Sequence, residues 1–108
     1  SETVSAQMMA MLRDVVSAEG GTGAAAAVPG YTVAGKTGTA AKIDANGRYS
    51  HSRYVASFVG LVPATKPELV IMVMVDEPRG SIYGGDVAAP AFEKIASFAL
   101  PYLKIPPQ

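Results

Sequence analysis

A chain of 108 residues with 49% hydrophobic and 17% charged side chains has enough apolar material for one packed domain or a piece of one, which excludes a disordered chain. Nine basic and nine acidic groups cancel, so charge points to no nucleic acid or other polyanion as a partner. No cysteine is present for disulfides or thiolate metal sites, no apolar run approaches the ~20 residues that cross a bilayer, and no secretion signal is visible.

Val4, Met8, Met11, Leu12 and Val15 recur at helical spacing, which predicts an amphipathic helix over 3–19 with that stripe in the core. Gly20 and Gly21 end it. Residues 20–30, GGTGAAAAVPG, are small and turn-rich and read as a loop. The β-formers and small residues of YTVAGKTGTAA (31–41) predict a first strand. The polar stretch 43–53 contains Asn46-Gly47, a strong turn signal. YVASFVGLV (54–62) and LVIMVMV (69–75) predict two more strands, joined by PATKPE. The last is apolar on both faces, so it is expected inside a sheet covered on both sides. After a loop over 76–86, a second helix is predicted for 87–103, with Phe92, Ile95, Ala96, Ala99 and Leu103 on one face. Asp86 is its candidate N-cap and Pro90 falls in its first turn, where proline is tolerated. The helical pattern is under way almost from Ser1, so the chain reads as a fragment of something larger.

GYTVAGKT (30–37) fits the phosphate-loop pattern G-x-x-x-x-G-K-[ST], and LVIMVMVDE (69–77) looks like the magnesium-holding strand of a nucleotide hydrolase. Two physical points argue against that reading. A phosphate loop needs a helix to spring from its end, yet Tyr31, Thr32 and Val33 favour a strand, and Gly38, Asp44, Asn46 and Gly47 follow. Parallel strands also need a crossover of about a dozen residues or more. Only six residues, two of them proline, separate Val62 from Leu69, so those strands should form an antiparallel hairpin. Asp76-Glu77 is then a solvated strand end.

On a strand, Thr37 and Thr39 share one face of GKTGTA while Lys36 and Gly38 share the other. Gly35 and Gly38 lower the bulk, so an extended peptide can approach the backbone and pair with the edge. Two hydroxyls on one face suit a carboxylate, a nearby ammonium adds positive potential, and a backbone N–H can meet an oxyanion. The same four residues also fit an ordinary edge strand.

GKTGTA (35–40), YVASFVGLVPATKPELVIMVMVDEP (54–78) and YGGDVAAPAFEKI (83–95) occur in an order and spacing that resemble the C-terminal part of the transpeptidase domain of class B penicillin-binding proteins, the cell-division type most of all. The likeness covers nearly the whole chain. It implies that residues 1–108 are a C-terminal fragment of a peptidoglycan D,D-transpeptidase, the target of β-lactams. Lys36 would join the polar network beside the nucleophile. Thr37 and Thr39 would hold the carboxylate of a D-Ala-D-Ala stem peptide or of a β-lactam. The backbone N–H of Thr39 would be one oxyanion donor, and Gly38 would keep the strand flat where the acyl group lies. Tyr54 and Tyr83 match positions where the family often has aromatic pocket walls.

No serine here begins S-x-x-K, and the serine-x-asparagine motif is absent as well. The resemblance therefore implies that the nucleophile, its lysine and the second oxyanion donor lie upstream, together with two further strands, a helical subdomain and a membrane anchor on the extracytoplasmic (periplasmic) side. The chain alone is expected to be inactive. His51, the only histidine, sits in a polar stretch without a second ligand and is expected to be an exposed residue without a catalytic role. No metal or other cofactor is expected. The expected fold is α/β of the α+β type: three antiparallel strands flanked by an N-terminal and a C-terminal helix, part of the penicillin-binding protein/β-lactamase-like fold. With half of that fold missing, dimerisation or strand exchange is expected. Three other readings share some of these features: a non-catalytic module for peptide carboxyl termini, a fragment of a β-lactamase or D,D-carboxypeptidase, and the ATPase.

Overall fold

In the computed structural model, which describes residues 1–108, helix α1 spans Glu2–Ser17. The Ser1 hydroxyl accepts from the Val4 N–H at 3.2 Å, satisfying one of the free donors of the first turn. Ala18 leaves helical geometry and Gly20 follows at φ 77°. The buried stripe differs from the expected one. Val16 is the buried residue, Met9, Leu12 and Val15 are half-buried, and Val4, Met8 and Met11 are exposed. Apolar residues on α1 cover more than one face, so periodicity alone does not choose which part goes inward. Packing on the first strand and on a 3-10 turn at Ala24–Ala26 selects the side centred on Val16.

Strands β1 (Ala34–Ile43), β2 (Tyr49–Val62) and β3 (Leu69–Asp76) form one antiparallel sheet in the order β1-β2-β3. The β1–β2 register sets Lys36 opposite Val59, Thr37 opposite Phe58 and Thr39 opposite Ala56. No helix follows Thr37, and every ladder is antiparallel, so the phosphate-loop geometry is excluded.

Two strand starts depart from expectation. Tyr31–Val33 lie outside β1, because Thr32 spends its backbone elsewhere: its N–H donates to Gln108 O at 2.9 Å and its carbonyl accepts from Ala64 at 2.7 Å. β2 begins at Tyr49, so His51 stands exposed on a strand and not in a loop. This arm is polar because the hairpin extends beyond the core. Backbone pairing, a Gly47 turn at φ 80° and an Arg53–Asp44 ion pair at 2.7 Å hold it. Its one buried polar residue, Ser50, accepts from the N–H groups of Ser52 and Arg53.

β3 is an edge strand and is covered on one face only. Leu69, Ile71, Val73 and Val75 pack against the core, while Val70, Met72 and Met74 are 67, 55 and 59% exposed. Two-sided apolarity records what a strand can bury, and within this chain nothing lies over the second face. The acidic pair at its end is exposed and ion-paired: Lys42 Nζ lies 2.7 Å from Asp76 and 2.6 Å from Glu77.

The second predicted helix is two pieces, a single turn α2 at Gly84–Val87 and α3 at Ala89–Tyr102, broken at Ala88. Asp86 thus lies inside α2 and does not cap α3, whose first turn carries Pro90 as expected. α3 buries Ala89, Phe92, Ala96 and Leu100, which shares Phe92 and Ala96 with the predicted face and leaves Ile95 and Leu103 exposed. The break resets the helix phase, and small residues then let it close on the sheet. A Cβ on Gly60 would run into the Phe92 ring, and Phe92 meets Phe58 edge-to-face with centroids 5.0 Å apart. The core thus sits between α3 and one sheet face.

Candidate functional site: a groove at the free edge of the first strand

β1 pairs only with β2, so its other edge is free. Which backbone groups point outward follows from the ladder. Glu77 N–H donates to Tyr54 O at 2.9 Å, so Tyr54 and, by alternation, Ala56 and Phe58 bond toward β3. Val55, Ser57 and Val59 then bond toward β1 and take up Ala40, Gly38 and Lys36. The N–H and C=O groups of Thr37 and Thr39 are left pointing away from the sheet. The Lys36 side chain turns back over this edge, and its Nζ donates to Thr37 O at 2.9 Å.

Thr37 and Thr39 line one wall of a groove of about 350 Å³. The loop after α1 supplies Gly21 and Thr22, and Tyr83, Gly84, Gly85 and Asp86 form the remaining wall. Thr22 and Thr37 place their hydroxyl oxygens 3.3 Å apart. Two glycines allow this closure. A Cβ on Gly84 would collide with the Ser57 carbonyl oxygen, and one on Gly85 with the Thr22 carbonyl oxygen. Gly38 is less constrained: a Cβ there would come within 2.6 Å of Ser57 Oγ, a side-chain atom that can rotate aside. The Ser81 hydroxyl donates to the Asp86 carboxylate at 2.5 Å and accepts from the Tyr83 N–H at 3.3 Å, which fixes the turn that carries Tyr83 and Asp86.

Of the residues singled out in the sequence, Thr37, Thr39 and Tyr83 meet at this groove. Lys36 and Gly38 occupy alternate positions of the same edge strand, on the opposite face. Tyr54, opposite Ala41, lies one pair beyond Thr39 on the same sheet face and is not part of the groove lining. Gly21, Thr22, Gly84, Gly85 and Asp86 join the site without having been singled out for it. The Gly84-Gly85 pair was the one signal for them, because adjacent glycines mark a close approach of backbone.

Away from the groove, Lys42 bridges β1 and the end of β3. Hydrogen bonds that its ammonium donates to Asp76, then Glu77, raise its pKa above the ordinary lysine value. Asp44 does the same for Arg53, again through a side-chain hydrogen bond.

Known proteins share the sequence and fold of this chain. The penicillin-binding protein transpeptidase domain matches residues 1–97. The chain is 47% identical over 93 residues to the probable peptidoglycan D,D-transpeptidase PenA of Neisseria gonorrhoeae, covering 85% of this chain and 16% of that protein. It is 45% identical over 109 residues to the stage V sporulation protein D of Bacillus subtilis, covering 100% of this chain and again 16% of the relative. Among solved structures, the transpeptidase domain of penicillin-binding protein 3 from Burkholderia pseudomallei superposes with a TM-score of 0.79 at 46% identity, over 93% of this chain and 30% of that one. The Mycobacterium tuberculosis penicillin-binding protein 3 complexed with ampicillin gives 0.80 at 38% identity, over 94% and 24%. The chain therefore spans about a sixth of these curated relatives, and with its three-stranded antiparallel sheet and KTGT edge it belongs to the penicillin-binding protein transpeptidase family.

Proposed function

We propose that this chain forms the carboxylate-binding edge of a serine-type D,D-transpeptidase that cross-links peptidoglycan stem peptides. In that reaction a serine attacks the penultimate D-Ala carbonyl, terminal D-Ala leaves, and an amine of a neighbouring stem peptide takes the acyl group. The observation that carries the reading is the placement of the Thr37 and Thr39 hydroxyls in one groove, on a strand edge whose N–H groups point outward. A substrate ending in D-Ala-D-Ala lies extended along such an edge, with its carboxylate against both hydroxyls and the Lys36 ammonium adding positive potential. The Thr39 N–H serves as one oxyanion donor, a contact whose loss typically costs ~10²–10³ in rate. Gly38 keeps the strand flat under the acyl group, and Tyr83 walls the groove. Tyr54 serves as a wall further along the strand.

The nucleophile, its lysine base and the second oxyanion donor belong to residues outside this chain, since none of its serines begins S-x-x-K. No helix of the chain is long and apolar enough to cross a membrane. The whole enzyme acts at the extracytoplasmic face of the cytoplasmic membrane, held there by an anchor outside these residues. The test is covalent labelling with a fluorescent penicillin. The full-length protein should be labelled and residues 1–108 alone should not. Labelling of the isolated chain would refute the assignment of the nucleophile.

A further inference from the structure

Asp86 is the one charged residue among those lining the groove, and it stands on the wall facing the threonines. Its carboxylate is held by the Ser81 hydroxyl and its N–H donates to Tyr83 O at 3.0 Å, so it is a fixed and not a wandering charge. Thr37 and Thr39 stand on the other wall, and outside the groove lining the Lys36 ammonium donates to Thr37 O at 2.9 Å at the strand edge. The groove thus has two hydroxyls along one side and a carboxylate, its one charged group, on the other.

The geometry points to Asp86 as a specificity residue that selects ligands carrying an ammonium group as well as a carboxylate. The inference rests on the proposed function and deepens it: once Thr37 and Thr39 hold the ligand's carboxylate, a positive group elsewhere on the ligand finds its counter-charge at Asp86. A ligand of the same shape without the ammonium gains nothing from Asp86. The residue touches the ligand but takes no part in bond making. An exposed ion pair of this kind changes affinity by a few-fold and weakens with salt.

Benzylpenicillin and ampicillin form a suitable probe pair, because they differ by a single α-amino group. Acylation rates of the full-length transpeptidase are measured for both at pH 6, below the ordinary α-amino range of about 7.7–8.0, at low ionic strength. Asp86→Asn removes the charge and keeps an oxygen for Ser81. The ampicillin-to-benzylpenicillin rate ratio should fall about two- to fivefold in Asp86→Asn, and added salt should lower the ratio of the unaltered protein toward the same value. Ser81→Ala, which removes the clamp and leaves the charge, should slow both compounds by a common factor. An unchanged ratio in Asp86→Asn, with both compounds still acylating, would overturn this inference alone. A common slowing of both compounds in Asp86→Asn would make Asp86 a support for the turn and would also overturn it. Failure of the unaltered protein to react with either compound would overturn the proposed function, and this inference with it.

Discussion

Gly84 and Gly85 are the positions where one methyl group does the most harm, because the atoms in its way are backbone carbonyls of Ser57 and Thr22, which cannot rotate aside. Gly84→Ala and Gly85→Ala should each destabilise the fold by about 1–3 kcal/mol in urea unfolding, as overpacking does elsewhere. A midpoint unchanged in both variants would mean that the turn is not pressed against β2 and the loop after α1. Lys42 offers a pH test. Its pKa is raised in the folded state, so its contribution is fully present below the unfolded value of 10.5 and is lost as pH climbs through the folded value. The unaltered chain should unfold at higher urea than Lys42→Met at pH 8, and the difference should shrink above about pH 10.5. A difference that grew with alkalinity would contradict the pairing with Asp76 and Glu77. At this scale the sequence exposed Lys36, Thr37, Gly38 and Thr39, because a strand's two-residue period fixes which of them share a face. Thr22 and Asp86 stayed hidden. Their proximity to Thr37 arises from chain closure over 15 residues and 49 residues respectively, and hydropathy carries no information about that distance.

Among the elements, strands were easier to foresee than the surfaces they bury. The 69–75 run gave β3 almost to the residue, but its two apolar faces could not reveal that one lies bare. The polar 49–53 arm was missed as strand because it is paired by backbone beyond the core, where side-chain pattern is unconstrained. For α1 the helix was legible and its inward side was not. Val16→Ala should therefore cost about 1–3 kcal/mol, whereas Met11→Ala, 56% exposed, should stay within about 0.5 kcal/mol in the same urea titration. Equal costs would mean that the expected stripe packs after all. Gly60, hidden among strand residues, sets how closely α3 approaches. Its importance depends on Phe92, 32 positions away in sequence.

For the molecule as a whole, the exposed face of β3 and the exposed stripe of α1 depart from what a self-sufficient domain would leave bare. Val70, Met72 and Met74 stand on an edge strand, with Val4, Met8 and Met11 bare on the helix. In the full-length enzyme we assign the remainder of the transpeptidase domain to that face. Residues 1–108 alone should instead self-associate through it, since an apolar edge strand is a template for pairing. Sedimentation velocity should show mass rising with concentration, and Met72→Lys with Met74→Lys should abolish the rise. A monomer at all concentrations would contradict it. The family resemblance was visible from three separated segments, because each shapes part of one edge: the KTGT strand, the hairpin that backs it and the glycine turn that faces it.

The central claim is that Thr39 holds a carboxylate at the free edge of β1. Its most direct test is the acylation rate of the full-length protein by benzylpenicillin in Thr39→Val and Thr39→Ser. A hydrogen bond to a charged group is worth about 1.5–3 kcal/mol, so Thr39→Val should slow acylation about 10- to 100-fold while Thr39→Ser restores most of the rate. Equal rates for Thr39→Val and the unaltered protein would contradict the account.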